Sequence, residues 1–457
     1  MKKINTPICD FVNRYAKSKT KRWHMPGHKG SGTLGIEALD ITEISGADSL
    51  YEADGIIKES ESIASSLFGS HTFYSTEGSS QCIRAMLHLA KTQAWLQKKH
   101  PFVWATRNVH KTFLSAVALL NFDVEWLYGS EEESYLSCSL SPDDLEKRLQ
   151  TTDVLPSALY LTSPDYLGNV ADIASLAEVC HRYNVLLLVD CAHGTYLGFL
   201  PTSLYPTDLG ADMCCSSAHK TLPVLTGGAY LHLAKNIDAN TLDAAKKALA
   251  LFGSTSPSYL ILQSLDAANA YLAEDCRQNL ARTVARLDEL KKRLALHGYQ
   301  LVGNEPLKIT LATKSFGYTG VEIAAHLREN GIECEFADND FVVLMPSTDV
   351  GTEELAHLEM VATSLPQKEP ITIAPPKPAK AERVLRICYA LLWPSETVAV
   401  EDSIGRILAS PSVSCPPAVP IVMCGERIDE ASVRAFRYYG VEKLRVVIEL
   451  DKHLDKL

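Results

Sequence analysis

The sequence predicts an α/β protein: a mostly parallel sheet covered by helices on both faces, with a smaller α+β region on its C-terminal side. Three observations carry this expectation. Short apolar runs alternate with helical patterns through the first half of the chain, which is how consecutive βαβ units read. One of them, VLLLV at 185–189, is continuously apolar, as a strand buried on both faces requires. The chain has 457 residues, 46% of them hydrophobic, enough for a large core and two or three domains.

Taken in order, residues 8–16 read as a short helix, followed by the loop WHMPGHKGSG, and 59–68 as a helix with Ile63 and Leu67 on one face. Strand-like runs then fall at 71–75, 102–105, 159–162, 185–189, 213–216 and 229–233. Helical patterns lie between them at 83–89, 111–119, 142–149 and 173–183. From Pro257 a single long helix is expected to about residue 294, because Ile261, Leu265, Ala268 and Leu272 keep helical spacing. Residues 300–365 read as strand, helix, strand (LKITLA, VEIAAHLRENG, FVVLMP), and 372–382 as a proline-rich linker. The last stretch contains CPPAVPIVMCGERI and closes on the alternating strand LRVVIEL, and no internal repeat is present. The expected domains are an N-terminal arm (1–50), a large domain (51–270), a connecting helix with a small α/β domain (271–370), and a linker with a C-terminal domain (371–457).

Bulk properties narrow the function. A net charge of -11 argues against nucleic acid, which selects basic patches. Met1-Lys2-Lys3 resembles the start of a signal peptide, but no apolar segment follows it. The longest apolar runs, 116–120 and 185–189, are too short to span a bilayer, so no membrane role is expected. The twelve cysteines form no CxxC pair and no Cys/His cluster at zinc spacing. They are expected to be reduced, mostly buried thiols of a cytoplasmic protein without a metal.

The most telling stretch is SSAHKTLPVLTGGAYLHL, from Ser216, which holds Lys220. A lysine wrapped in small polar residues is an odd surface charge but a good aldehyde trap. Thirty residues upstream, VLLLVD ends in Asp190 and continues Cys-Ala-His-Gly. A carboxylate ending one buried strand and a lysine following a later one are what a pyridoxal phosphate (PLP) site needs. The amine binds the aldehyde, and the acid keeps the pyridine nitrogen protonated. After the strand at 71–75 comes Thr-Glu-Gly-Ser-Ser-Gln and then a helix. Gly78 lets the backbone approach closely, and Ser79 and Ser80 sit where a helix N-terminus offers N–H groups to a phosphate. Ser217 and His219 could add donors. Gly-Ser-Ser ahead of a helix is by itself usually only a cap; with Asp190 and Lys220 the balance reverses.

Several segments in this order resemble the Orn/Lys/Arg decarboxylase family, above all its shorter, Bacillus-type members. They are HMPGHKG (24–30), DITEISGADSLYEADGIIKESE (40–61), RNVHKTFLSAV (107–117), DCAHG (190–194), SAHKTLP (217–223), STSPSYLILQSLDAA (254–268) and PPAVPIVMCGERI (416–428). The resemblance implies a PLP-dependent, aminotransferase-like (fold type I) large domain and the decarboxylation of lysine, arginine or ornithine to an amine of polyamine metabolism. It implies that Lys220 carries PLP, Asp190 pairs with the ring nitrogen, and His110 and Ala192 pack on the two ring faces. Gly78, Ser79, Ser80, Ser217 and His219 would hold the phosphate. Thr255 and Ser256 would come from a partner subunit of a homodimer or larger homo-oligomer. His24 and His28 would reach the site mouth. Lys220 or His193 would return a proton to Cα.

Against the family pattern, Thr-Glu-Gly-Ser-Ser stands for Asn-Gly-Thr, Cys191 replaces the Glu of Asp-Glu-Ala-His, and Asp165 replaces a threonine. Glu77 repels a phosphate unless it points away, and an ionised Asp165 beside the ring's phenolic oxygen would be unfavourable. Cys191, Cys214 and Cys215 read as core filler. Arg386, in RVLRICYA, is the candidate for the substrate α-carboxylate, and Glu335 or Asp338 for a basic side chain. These departures keep open an aminotransferase or lyase on the same fold, or a silent PLP-binding protein.

Overall fold

Why the chain alternates between strand and helix is visible at each boundary of the computed structural model, which describes residues 4–130, 133–378, 380–410 and 419–448. In chain order the elements are α1 (Pro7–Lys17), α2 (Ile56–Phe68), β1 (His71–Ser75), α3 (Gly78–Leu96), β2 (Phe102–Thr106), α4 (Lys111–Leu120), β3 (Asp123–Leu127), α5 (Pro142–Thr151), β4 (Ala158–Thr162), α6 (Ile173–Arg182), β5 (Leu186–Asp190), β6 (Met213–Ser216), α7 (Ala218–Thr221) and β7 (Ala229–Leu233). Then come α8 (Ala239–Ala250), α9 (Tyr259–Glu274), α10 (Cys276–His297), β8 (Gln300–Val302), β9 (Ile309–Ala312), α11 (Gly320–Glu329), β10 (Phe336–Ala337), β11 (Phe341–Leu344), α12 (Thr352–Thr363), α13 (Ile387–Leu392), β12 (Ser395–Ala399), α14 (Glu430–Tyr438) and β13 (Lys443–Val447). Helix starts follow local chemistry: Ser141 accepts from the Asp144 N–H with Pro142 in the first turn of α5, and Thr319 and Glu322 cap each other's backbone at α11. α1 has no side-chain cap of its own. Asp266, on α9, accepts from the Ile8 and Cys9 N–H groups at 3.0 and 2.9 Å instead.

The chain divides into two compact units that do not follow sequence order. The first holds 1–99, 172–285 and 347–350, and the second holds 100–171, 286–346 and 351–457, so the expected large domain, 51–270, contributes to both. In the first unit the strands run in the order β1-β7-β6-β5. β5 and β6 are parallel, whereas β7 is antiparallel to both its neighbours. Cys82, Met86 and Ala90 of α3, at four-residue spacing and fully buried, form part of the face that meets β6 and β7. In the second unit β4, β2 and β3 run in that order, all parallel, beside an antiparallel sheet β10-β11-β9-β8 and the pair β12-β13. The α/β class with a mostly parallel sheet and a smaller α+β part is what the alternation predicted.

One expectation needs correction. The long helix from 257 to 294 is two helices, α9 and α10, broken at Asp275, which leaves the helical track at φ -115°. In RVLRICYA, Arg386 stands at the N-cap position of α13 without a side-chain capping bond. The first three residues of the PPAVPIVMCGERI segment, 416–418, and the end of the LRVVIEL strand, 449–450, lie outside the described residues.

In the second unit, the Arg107 guanidinium, 3% exposed, donates to the carbonyls of Pro420 (2.7 Å) and Ile421 (2.5 Å). It thereby ties the loop after β2 to the segment ahead of Glu426, whose carboxylate accepts from the Met423 N–H.

Candidate active site

The site in the first unit is assembled from the C-terminal ends of β5 and β6 and the N-terminal turn of α3. β5 and β6 run in register, with Asp190 opposite Cys215, so the residues after them emerge side by side. Asp190 is 2% exposed. Its Oδ1 accepts from the Ala192 N–H at 3.2 Å and from the Cys215 thiol at 3.6 Å. The turn that follows is closed by Gly194 N–H to Cys191 O and anchored to the next strand end by Ser217 N–H to Ala192 O. It delivers His193, itself 5% exposed, to Lys220 on α7, where His193 Nε2 and Lys220 Nζ lie 2.8 Å apart. Those two nitrogens are within hydrogen-bond distance.

The phosphate cradle depends on two glycines. Ser75 donates to Gln81 Oε1 (2.6 Å) and accepts from the Glu77 N–H, which turns the chain from β1 into α3. Gly78 has φ +73°, its N–H donates to Gly227 O at 2.7 Å, and nothing lies within 4 Å of where a Cβ would stand. Gly227 has φ +98°, and a Cβ there would come within 2.9 Å of Thr76 O. Beside them the Ser217 hydroxyl donates to Ser79 Oγ at 3.0 Å. His219 Nδ1 lies 3.0 Å from Gly228 O and donates to that carbonyl, which fixes the ring beside the turn. Glu77 is exposed, and its carboxylate accepts from the Ser254 N–H, so it is engaged away from the cradle. That bond also holds the loop bearing Thr255 and Ser256, both exposed.

A lysine with a titratable partner, a buried carboxylate at the neighbouring strand end, and paired hydroxyls with a glycine at the start of a 19-residue helix match the three anchoring points of PLP: its aldehyde, its ring nitrogen and its phosphate. The residues present fit the cofactor.

The remaining candidates each have protein partners of their own. His24 Nε2 contacts Tyr15 OH at 2.6 Å, and His28 Nε2 lies 3.1 Å from Asp40 Oδ2. In the second unit His110 caps α4, its Nδ1 accepting from the Thr112 N–H at 3.2 Å. Arg386 Nε lies 3.1 Å from Asp123 Oδ1, and Arg383 and His100 reach the same carboxylate. Asp123 is held below its ordinary pKa, despite the opposing effect of burial, by its bond to His100 and by the two arginines. The charge of Arg386 is therefore matched by a protein acid. Asp338, 7% exposed, accepts from the Asp340 and Phe341 N–H groups at 2.7 Å; burial pushes its pKa up to about 6. Glu335 is exposed and accepts from Tyr166 OH at 3.0 Å. Asp165 is buried and occupied locally by Ser137 and Asn169, and burial raises its pKa.

Sequence reasoning passed over Cys215. Only the strand register, which puts it opposite Asp190, gives it a part in the site. Among the described residues every cysteine is a free thiol, no cluster of acids, histidines and cysteines is placed to hold a metal ion, and no helix is long and apolar enough to cross a membrane.

Comparison with known proteins gives a consistent result. The family model of the Orn/Lys/Arg decarboxylase major domain matches residues 6–302, and that of the C-terminal domain matches 389–449. An arginine decarboxylase of Halalkalibacterium halodurans is 30% identical, covering 94% of this chain and 93% of its own. One from Bacillus subtilis is 28% identical, covering 95% and 93%. The lysine decarboxylase LdcF of Francisella novicida superposes with a TM-score of 0.78 over 97% of this chain and 81% of its own at 14% identity, a likeness of fold.

Proposed function

Since the chain belongs to the Orn/Lys/Arg decarboxylase family and is a PLP-dependent amino acid decarboxylase of fold type I, we propose that it releases the α-carboxylate of a basic amino acid as carbon dioxide, with arginine ahead of lysine and ornithine as substrate. Arginine leads because relatives covering more than nine-tenths of the chain are named for it. The observation that carries the reading is the 2.8 Å contact between Lys220 and His193 beside a buried Asp190.

PLP, when bound, supplies the electron sink that accepts the bonding pair as the carboxylate departs. Lys220 anchors its aldehyde carbon. Asp190, negative at the end of β5, favours a protonated ring nitrogen. Gly78, Ser79, Ser80, Ser217 and His219 would take the phosphate, and Ala192 would pack against the ring. His193 holds the Lys220 amine in place and exchanges a proton with it, so the pair delivers the proton that replaces the lost carboxylate at Cα. His110 keeps its proposed stacking role. Thr255 and Ser256, exposed on their loop, are offered to a second copy in a cytoplasmic homodimer or larger homo-oligomer. Of the two acids, Glu335 is the better partner for the substrate's basic end, because the Asp338 carboxylate is taken up by its own turn. Arg386, matched by Asp123, is the weakest of the substrate candidates.

The test is incubation of the protein and PLP with arginine, lysine and ornithine separately. Release of carbon dioxide with agmatine is the expected result, and cadaverine or putrescine would reassign the substrate. Keto acid formation would establish an aminotransferase. A cofactor absorbance band abolished by Lys220→Ala, with no product from any of the three, would leave a silent PLP-binding protein. Absence of any cofactor band with added PLP overturns the reading.

A further inference from the structure

We propose that Cys215 is a positioning residue for Asp190: its thiol, fixed opposite that carboxylate by strand register, holds it oriented for the ring nitrogen. The inference rests on the PLP reading above and concerns a residue that reading does not use. Cys215 is fully buried on β6, and its Sγ donates to Asp190 Oδ1 at 3.6 Å. The Ala192 N–H donates to the same oxygen. Two donors on one oxygen restrict the rotation of the carboxylate about its Cβ–Cγ bond.

The thiol can serve only while it keeps its proton, and its surroundings ensure this. Burial, reinforced by the nearby Asp190, pushes the Cys215 pKa well above that of a free thiol. The titratable groups packed around the pair are Cys82 on α3, Cys191 after β5 and Cys214 on β6, with His193 and Lys220 following. Burial pushes Cys82 up to about 12 and raises Cys214 as well, so neither brings a negative charge near neutrality. The donor to Asp190 is thus a neutral S–H near neutral pH.

The consequence is measurable without turnover. A carboxylate turned off the ring nitrogen pairs less well with it, so loss of the thiol donor weakens binding of a ligand that carries that nitrogen and spares one that does not. The probe is pyridoxamine 5'-phosphate, which has no aldehyde and cannot condense with Lys220. A control is its analogue with C–H in place of the ring nitrogen. Binding of each to the full-length, cofactor-stripped chain is titrated by fluorescence at one near-neutral pH. In Cys215→Ala affinity for the probe is expected to fall about three-fold relative to affinity for the control, the size of one weak hydrogen bond. Cys215→Ser, which keeps a donor, is expected to stay near the wild type. Unchanged affinities in Cys215→Ala overturn the assignment while leaving the PLP site intact. Equal weakening of probe and control also overturns it, since that is a packing defect. A wild-type chain that binds neither probe overturns the assignment and the PLP reading together.

Discussion

Replacing His193 separates holding Lys220 from moving its proton. His193 Nε2 stands 2.8 Å from Lys220 Nζ, and the His193 ring is 5% exposed. A hydrogen bond to a charged partner contributes about 1.5–3 kcal/mol. Proton transfer by a placed group contributes about 10²–10⁴-fold, or about 2.7–5.4 kcal/mol at 1.36 kcal/mol per decade. His193→Gln keeps a polar atom near Nε2 but has no group that titrates; His193→Phe keeps neither. If His193 only holds the lysine, Gln retains most of the rate and Phe loses about ten- to a hundred-fold. If it relays the proton, both lose at least a hundred-fold in kcat, while Gln keeps PLP affinity and KM near wild type. The second pattern is expected. The assay is single-substrate amine release with PLP saturating, alongside a PLP titration of each variant. A His193→Gln enzyme within three-fold of wild-type kcat would refute the proton-relay role.

Three further outcomes are expected. Lys308 and Glu305, 1% and 2% exposed and 3.2 Å apart, form a buried pair; Lys308→Met or Glu305→Gln alone should cost about 3–5 kcal/mol, and the double variant should recover most of it, so additive losses in urea unfolding would sink the pairing. His232, fully buried among Ser70, Thr72 and Ser216, has its pKa pushed down to about 3 by burial. Its depressed folded pKa means that only the unfolded chain takes up the proton between about pH 6.5 and 3. Stability therefore falls with falling pH, by roughly 1.4 kcal/mol per unit from this group, and His232→Gln should flatten that slope in urea midpoints measured from pH 6.5 to 4. Gly227→Ala should weaken PLP binding and cost roughly 1–3 kcal/mol, because a positive φ and a backbone oxygen 2.9 Å from the new Cβ both oppose it; an unchanged PLP affinity would remove Gly227 from the cradle.

What could be read in advance was whatever is local. VLLLVD announced a buried strand and the acid at its end, and β6 and β7 fall where their apolar runs do. Pairing direction is not local: nothing in AYLHL distinguishes an antiparallel β7 from another parallel strand. β3 was missed because DVEWL alternates Asp123 and Glu125 with apolar residues, a pattern suited to the end position it holds beside β2. The break at Asp275 carries no proline or glycine, and the apolar stripe continues from Leu272 to Cys276 and Leu280 across it. Side-chain partners were the least accessible of all. Arg386 meets an aspartate more than 250 residues upstream, and Cys215 meets Asp190 only because two strands align. A thiol inside an apolar run is indistinguishable from packing until its neighbour is known.

The grip of Arg107 on the carbonyls of Pro420 and Ile421 spans more than 300 positions of chain. During synthesis, therefore, the loop after β2 leaves the ribosome long before its anchors exist. A cation destined for a dry setting must stay hydrated until residues 420 and 421 have been made, so this part of the second unit closes late. Products truncated before residue 420 would keep that guanidinium without these two acceptors.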